Sequence, residues 1–438
     1  MAMLPRRKAL QWMGLLGSAP WLLGGCSGSK PGDTDWGGSD DGSPEQLPQE
    51  ADLTGLKVNE SLVEALNQFG WDLLRSLPEG NQFISPASVG LCLAMIERGA
   101  EGTTRAEIRK VLHLSEKPDL TDPGWKTLSQ FLRVQKPNRQ ARMANALFLQ
   151  SGDPIGPEFQ NELEGWFQAK LKDLDFKTDP AGAAKSINQW GRLRSGNALG
   201  DLLEPDTLSS GTRLVLVNLI QFKGEWELAF DPSRTRPRDF ETVPGQKKSV
   251  PFMAMPSDDF RIRRTPLARA IEIPCKGRDR SVHIILPNKR HGLPEIMNPK
   301  IDLSWRNLLF EPGRISHSYA LLPKFAFESN LGLKSPLTQL GMPKAFDASA
   351  ADFSRMNGGQ EPLFVHQVLH KARFSMDEEG VKAVAATLGE AKKDGKMEEE
   401  ERPFIADHPF LVAITDQSTQ SILFLGRLND PTKAPIDS

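Results

Sequence analysis

Residues 377–403, Asp377 to Pro403, read DEEGVKAVAATLGEAKKDGKMEEEERP. After Gly380 the side chains alternate with the period of a strand. Val381, Ala383, Ala385, Thr387, Gly389 and Ala391 fall on one side; Lys382, Val384, Ala386, Leu388, Glu390 and Lys392 fall on the other. The first set is small and uncharged, fit to enter a core, and the second tolerates water. The alternation stops at Lys393, and DGKMEEEER beyond it has no buried face. Three readings compete. Ala, Lys, Glu and Leu favour a surface helix, yet no apolar stripe recurs at helical spacing between 381 and 398. An interior strand followed by a flexible link uses the alternation and leaves the charged run unexplained. A segment with two states, exposed loop and inserted strand, uses all of it.

The 438 residues, 39% hydrophobic, are enough for a large core in one large domain or two ordinary ones. A formal charge of -2 supplies no broad basic field for nucleic acid. Residues 1–25 form a separate signal: Arg6, Arg7 and Lys8 precede an apolar stretch from Ala9 to Leu23, too short for a membrane span and shaped for export. The stretch ends Leu23-Gly24-Gly25-Cys26, which resembles a bacterial lipoprotein signal, cut before a Cys that then carries lipid. A plain secretory signal with an incidental Cys is the alternative, and the Arg pair leaves the export route open. Residues 26–55, rich in Gly, Ser, Pro and Asp, read as a flexible tether. The expectation is an exported chain outside the cytoplasmic membrane, anchored through Cys26. Cys92 and Cys275 sit in apolar surroundings (LCLAM and IEIPC) and are expected as buried thiols rather than a disulfide. With no spaced CxxC pair or metal-ligand cluster, no cofactor is expected.

From residue 56 the chain is helical first. SLVEALNQFGWDLLRSL places Leu62, Leu66, Phe69 and Leu73 on one face, and Pro78 ends that helix. Pro86 fits the entrance of the next helix. Thr103 or Thr104 caps a third, with Glu107 completing a capping box. A helix is expected from Pro157 to Leu171. After Arg213 the period becomes that of short strands: TRLVLVNLIQF, KKSVPFMAM, ARAIEIPC, RSVHIILPN, and SYALLPKFAFES as one more. HPFLVAITDQSTQSILFLGRL reads as a hairpin around DQST. Helices first and separate strands later indicate an α+β domain over 56–432, with a short tail at 433–438.

Ser85 and His370 invite a hydrolase reading, but Ser85 precedes Pro86 and lies in no GxSxG elbow. A hydroxyl satisfying buried backbone accounts for it better. His283, within VHIIL, reads as a packed strand residue. ERGAEG over 97–102 lacks the Lys and hydroxyl of a phosphate loop, and Glu398–Glu401 on one mobile run make a poor cation site. No enzyme is evident.

NQFISPASVGLCLAMIERGAEGTTRAEI, ANALFLQ, VNLIQFKGEWELAF, LLPKFAFES, VLHKARFSMDEEG and the C-terminal hairpin together resemble, in order, the serpin family of serine and cysteine protease inhibitors, over about 58–432. The resemblance implies a serpin fold: a large central mixed sheet, further sheets, eight to nine helices and an exposed reactive-centre loop. It implies a monomeric, metastable inhibitor, whose loop is cut by a target protease and inserts into the central sheet before the covalent acyl-enzyme is resolved. By position Ser85, Ser88, Asn218 and His370 resemble the shutter that holds the middle strands. Trp226, Lys324 and Glu378 resemble the breach where insertion starts. Glu378, Glu379, Gly380, Val381, Lys382, Ala383, Val384, Ala385, Ala386 and Thr387 resemble the hinge; Lys382 stands where the family commonly has an acid, and Val384 is larger than the usual Ala. Counting from Gly380 places the scissile bond at Asp394–Gly395, while counting back from Pro403 favours Lys392 or Lys393. A Lys and an exported location favour a trypsin-like serine protease. Asp394 favours an Asp-specific protease, including the cysteine class, and a noninhibitory binding protein is the remaining alternative.

Overall fold

The computed structural model describes residues 57–115, 122–133, 139–195, 199–255, 260–315, 319–378 and 403–433. Helix α1 (Glu60–Ser76) starts where Asn59 Oδ1 accepts the Leu62 N–H at 2.9 Å, and it buries Leu62, Leu66, Phe69 and Leu73. A short strand β1 (Gln82–Ile84) leads to α2 (Pro86–Gly99), which has Pro at its first turn and is buried on all sides rather than along a stripe. The two helices lie very close: a Cβ on Gly90 would stand 2.3 Å from Leu66 Cδ2, and one on Gly70 2.4 Å from Pro86 Cγ. Helix α3 (Gly102–Val111) has no side-chain cap. The expected capping box is replaced by long-range bonds, because Thr104 Oγ1 accepts from Asp352 N (3.0 Å) and Glu107 from Lys344 N (2.9 Å). Both groups fasten α3 to a distant loop instead of closing their own turn.

Helix α4 (Asp122–Arg133) and strand β2 (Arg139–Gln150) follow. The helix expected to reach Leu171 is shorter. Helix α5 (Pro157–Glu162) passes into a π turn over Leu163–Phe167, Gln168 turns left-handed at φ 50°, and Lys170–Leu174 form strand β3. Pairing of β3 parallel to β2, Ala146↔Lys170 to Gln150↔Leu174, overrides local helix propensity. Helix α6 (Pro180–Ser195) and strand β4 (Leu214–Gly224) complete the first half.

The second half carries strands β5 (Arg236–Val243), β6 (Gln246–Met255), β7 (Arg261–Arg264), β8 (Ala268–Pro274) and β9 (Arg280–Pro287). Then come α7 (Leu293–Met297), α8 (Trp305–Leu309) and β10 (Arg314–Ile315). SYALLPKFAFES is two strands, β11 (Ala320–Pro323) and β12 (Phe325–Gly332), in different sheets. They part at Lys324, after a Pro that has no N–H to give a ladder, and the Lys324 N–H donates instead to Pro251 O at 2.8 Å. Helices α9 (Lys334–Leu340) and α10 (Ser354–Asn357) precede β13 (Val365–Met376), and β14 (Phe404–Ile405), β15 (Phe410–Asp416) and β16 (Ser421–Leu428) end the chain. Ten α-helices therefore stand among the described residues, against the expected eight to nine. The surplus is in one-turn pieces such as α10, set up by Asp352 Oδ1 accepting from Ser354 N at 3.1 Å, which carry too few residues to show a period. The hairpin forms as expected, with Asp416 Oδ1 accepting from the N–H groups of Ser418 and Thr419 in its turn.

A seven-stranded sheet runs β1-β16-β15-β9-β8-β7-β10, a four-stranded one β14-β11-β6-β5, and a five-stranded one β12-β13-β4-β2-β3. The five-stranded sheet is mixed: β13 lies parallel to β4, and β2 antiparallel to β4. β4 is buried on both faces. Leu214, Leu216, Ile220 and Phe222 join the larger core, with α1, α2 and the seven-stranded sheet, while Val215, Val217 and Leu219 join a smaller core beneath α6. In this apolar alternation Asn218 falls on the larger-core side, as does His370 on β13 between Val368 and Ala372. No helix of the described residues is long and apolar enough to cross a membrane. Residues 379–402, and with them the expected exposed loop, lie outside the described residues, as do 1–56 and 434–438.

Candidate functional site

Strands β4 and β13 are hydrogen-bonded directly to each other from Leu214↔Val365 to Gln221↔Arg373. That register sets His370 opposite Asn218, and the antiparallel register of β2 sets Asn145 on Asn218's other side. Ser85 caps α2 directly beneath. All four expected shutter residues, Ser85, Ser88, Asn218 and His370, are fully buried and in one network. The Ser85 N–H donates to His370 Nε2 at 3.2 Å, which fixes the proton on Nδ1; Nδ1–H donates to Asn218 Oδ1 at 2.6 Å. The Asn218 amide donates to Ser88 Oγ and Asn145 Oδ1, and Ser85 Oγ donates to Leu423 O at 2.6 Å. Both His370 nitrogens, the Asn218 amide and the Ser85 hydroxyl are thus bonded, inside an apolar core where an unmade bond costs about 1–3 kcal/mol. The arrangement also disposes of a hydrolase: the Ser85 hydroxyl gives its proton to a carbonyl, and His370 offers its one acceptor nitrogen to backbone.

At the other end of this seam, Met376 closes β13 and the chain turns toward the undescribed segment. Trp226, just past β4, donates its indole N–H to Asp377 O at 2.9 Å. The Glu378 carboxylate receives Lys324 Nζ at 2.6 Å and the Thr235 hydroxyl at 2.5 Å. Burial pushes the Glu378 carboxyl pKa up, but the Lys324 and Thr235 bonds outweigh it and hold it below its ordinary value. Lys324 and Glu378 therefore pair directly, and Trp226 grips the residue before Glu378. On the opposite face, Lys371 Nζ donates to Asp201 O at 3.0 Å and Asn330 reaches Leu202 O at 3.3 Å, tying the segment after α6 across β12 and β13. Asn145, Thr235 and Lys371 are absent from the sequence-based assignment. Asn145 leaves a trace, a lone amide between Ala144 and Ala146 in an apolar strand; Thr235 leaves none. The remaining hinge residues Glu379 to Thr387, the scissile candidates Lys392, Lys393, Asp394 and Gly395, and Cys26 lie outside the described residues.

Burial holds the His370 imidazole down at about 3, and burial does the same for His283 on β9, which bonds Thr415 Oγ1 at 2.9 Å. An unfolded His titrates at about 6.5. Between those values the unfolded chain binds more protons, so stability falls as pH drops through 6.5 toward 3. By pH 5 each His is expected to cost about 2 kcal/mol. Urea midpoints measured from pH 7.5 to 5 should decline, and the slope should flatten in a His370→Gln variant.

The family model described as Serpin (serine protease inhibitor) matches residues 64–431. Leukocyte elastase inhibitor of Bos taurus is 34% identical over 383 residues, 85% of this chain and 100% of its own. An uncharacterized serpin-like protein of Thermococcus kodakarensis is 33% identical over 376 residues, covering 84% of this chain and 86% of that protein. The crystal structure of native protease nexin-1 with heparin superposes with a TM-score of 0.74 at 30% identity, covering 85% of this chain and 100% of that one.

Proposed function

This chain belongs to the serpin family, and from that premise we propose that it is a suicide-substrate inhibitor that traps a trypsin-like serine protease as a covalent acyl-enzyme. The observation that carries the reading is the parallel pairing of β4 with β13, whose far end leads directly into residues 379–402. A parallel neighbour pair fed by a long segment from the end of one member leaves a position for a strand antiparallel to both. The protease serine attacks the scissile carbonyl, and the new C-terminal fragment leaves as an amine. Residues 381–391 then enter between β4 and β13, carrying the bound protease with them. The small, uncharged set Val381, Ala383, Ala385, Thr387, Gly389 and Ala391 faces the larger core, and Lys382 and Val384 face outward. Each new ladder bond contributes about 0.5–1.5 kcal/mol, and the buried apolar face adds to it.

The network around Asn218 and the grip on Asp377 and Glu378 set the barrier. Opening the seam parts His370 from Asn218, and it starts where Trp226 releases Asp377. The loop's Lys392 and Lys393 suit a pocket that ends in a carboxylate. Incubation with a protease panel followed by denaturing electrophoresis tests this: a trypsin-like enzyme should give a stable adduct. Mass measurement of the released fragment should place its start at Lys393 or Asp394. A start at Gly395 would transfer the target to an Asp-specific protease, and an uncut loop with every protease would favour a noninhibitory binding protein. The same chain is proposed to act from a membrane surface through Cys26; Cys26→Ser should shift it from the membrane fraction to the soluble one in its host.

A further inference from the structure

Strand β9 begins with a charge that has nowhere to give its protons. Arg280 is 0% exposed, and among the described residues its Nε, Nη1 and Nη2 all lack a hydrogen-bond partner. Asp416, opposite it on β15, holds Oδ2 at 3.8 Å from Nε, within ion-pair range and beyond hydrogen-bond range. The other Asp416 oxygen is occupied by the Ser418 and Thr419 N–H groups. The Phe222 ring, 5.8 Å from the guanidinium carbon, offers a face rather than an acceptor. Buried donors on a cation are costly to leave unmade, so a further anionic acceptor beside Arg280 is stabilised.

Cys275 stands in the position to supply it. Its N–H donates to Arg280 O at 2.9 Å, which makes the two residues an opposed pair across the β8–β9 hairpin, with side chains on one face. The residue is 2% exposed. The tip of β4 covers it: Trp226 forms an antiparallel bridge with Cys275, and a Cβ on Gly224 would stand 3.4 Å from the Cys275 sulfur. The Arg280 charge interacts with the thiol across the hairpin, and Asp416 faces Arg280 in turn. Around it, Glu225 pairs with Lys276 and Glu227 with Arg278, and Phe222, Gly224 and Trp226 bring no charge from β4. Cys92 provides the contrast, since it is fully buried within α2 and burial alone pushes its thiol pKa far up.

We propose that Cys275 is a reactive thiol, a modification site for small electrophiles and hydroperoxides, whose thiolate is held by Arg280. With a hydroperoxide the thiolate sulfur attacks one peroxide oxygen; the S–O bond forms as the O–O bond breaks. Sulfur is oxidised by two electrons, the peroxide is reduced, and the departing hydroxide, or alkoxide from an organic hydroperoxide, takes a solvent proton and leaves as water or the alcohol. The resulting sulfenic acid remains opposite Arg280. Because the sulfur lies under the Trp226 turn, reaction waits on movement of that turn, the same movement that loosens Asp377. Thiol reactivity therefore reports opening at this end of the seam, and it does so whether or not the chain inhibits a protease.

The test is iodoacetamide alkylation of the full chain from pH 5 to 9, with each cysteine followed by peptide mass mapping. Cys275 is expected to react at least about tenfold faster than Cys92 at pH 7, with its half-maximal pH below the ordinary thiol value of about 8.5. Arg280→Met should raise that half-maximal pH toward the ordinary value, and Arg280→Lys should largely keep it low. Hydrogen peroxide followed by dimedone should tag Cys275 and spare Cys92. Equal rates at the two cysteines, or superposable pH profiles for wild type and Arg280→Met, would overturn the proposal. Should Arg280→Met fail to fold, a wild-type half-maximal pH at or above about 8.5 overturns it just as well.

Discussion

Val381→Arg is expected to turn the inhibitor into a substrate. The loop alternation puts Val381 first among the side chains that enter the larger core, next to where Trp226 and Glu378 hold the base of the segment. A guanidinium there would have to be buried against apolar neighbours, at several kcal/mol unless it finds a partner. Recognition of the scissile bond, about ten residues downstream, is untouched. Cleavage therefore proceeds, insertion stalls, and water resolves the acyl-enzyme. In a titration the moles of inhibitor needed per mole of protease should rise at least about tenfold, because each kcal/mol lost on the insertion path shifts the partition by about fivefold. Adduct should give way to cleaved chain on the gel. Lys382→Glu, on the outward face, should leave the stoichiometry near that of the parent. An unchanged stoichiometry for Val381→Arg excludes insertion in this register.

Cleavage alone should raise the thermal midpoint by at least about 10 °C. A strand of about ten residues completing the sheet gains about ten ladder bonds at about 1 kcal/mol each. For a chain of this size the unfolding entropy corresponds to about 0.8 kcal/mol per degree, so about 10 kcal/mol converts to roughly 12 °C. Limited proteolysis near 392–394, confirmed by mass, followed by calorimetry of intact and cleaved chains checks this. The fragments should stay associated, because β15 and β16 of the C-terminal piece are interior to the seven-stranded sheet, between β9 and β1.

Long periodic segments were legible in the sequence for a simple reason: α1 shows its buried stripe, and β4 shows apolar runs on both faces with one amide set among them. Asn218 in LVLVNLIQF and His370 in VLHKARF stand out as lone polar groups in apolar strands, and the resemblance gave them a shared place. Short-range logic failed where a distant partner decides. Thr104 and Glu107 look like a capping box, yet their partners Asp352 and Lys344 are some 240 residues away. Lys170 and Leu171 look like the end of a helix until β2 offers the 170–174 run a ladder. The break at Lys324 depends on Pro251 and Glu378, neither of which is near it in sequence. Arg280 opens the strand run RSVHIILPN, but its charge gives no sign of burial; only the pairing of β9 with β15 sets it against Asp416 in the core.

The central claim is that residues 381–391 can become a strand between β4 and β13, and a crystal structure of the chain cleaved near 392–394 tests it most directly. The expected result is a six-stranded central sheet, with the His370–Asn218 bond broken and those two strands parted from one interstrand spacing of about 4.8 Å to about 9.6 Å. A cleaved chain in which Leu214–Gln221 still pairs directly with Val365–Arg373 would contradict it.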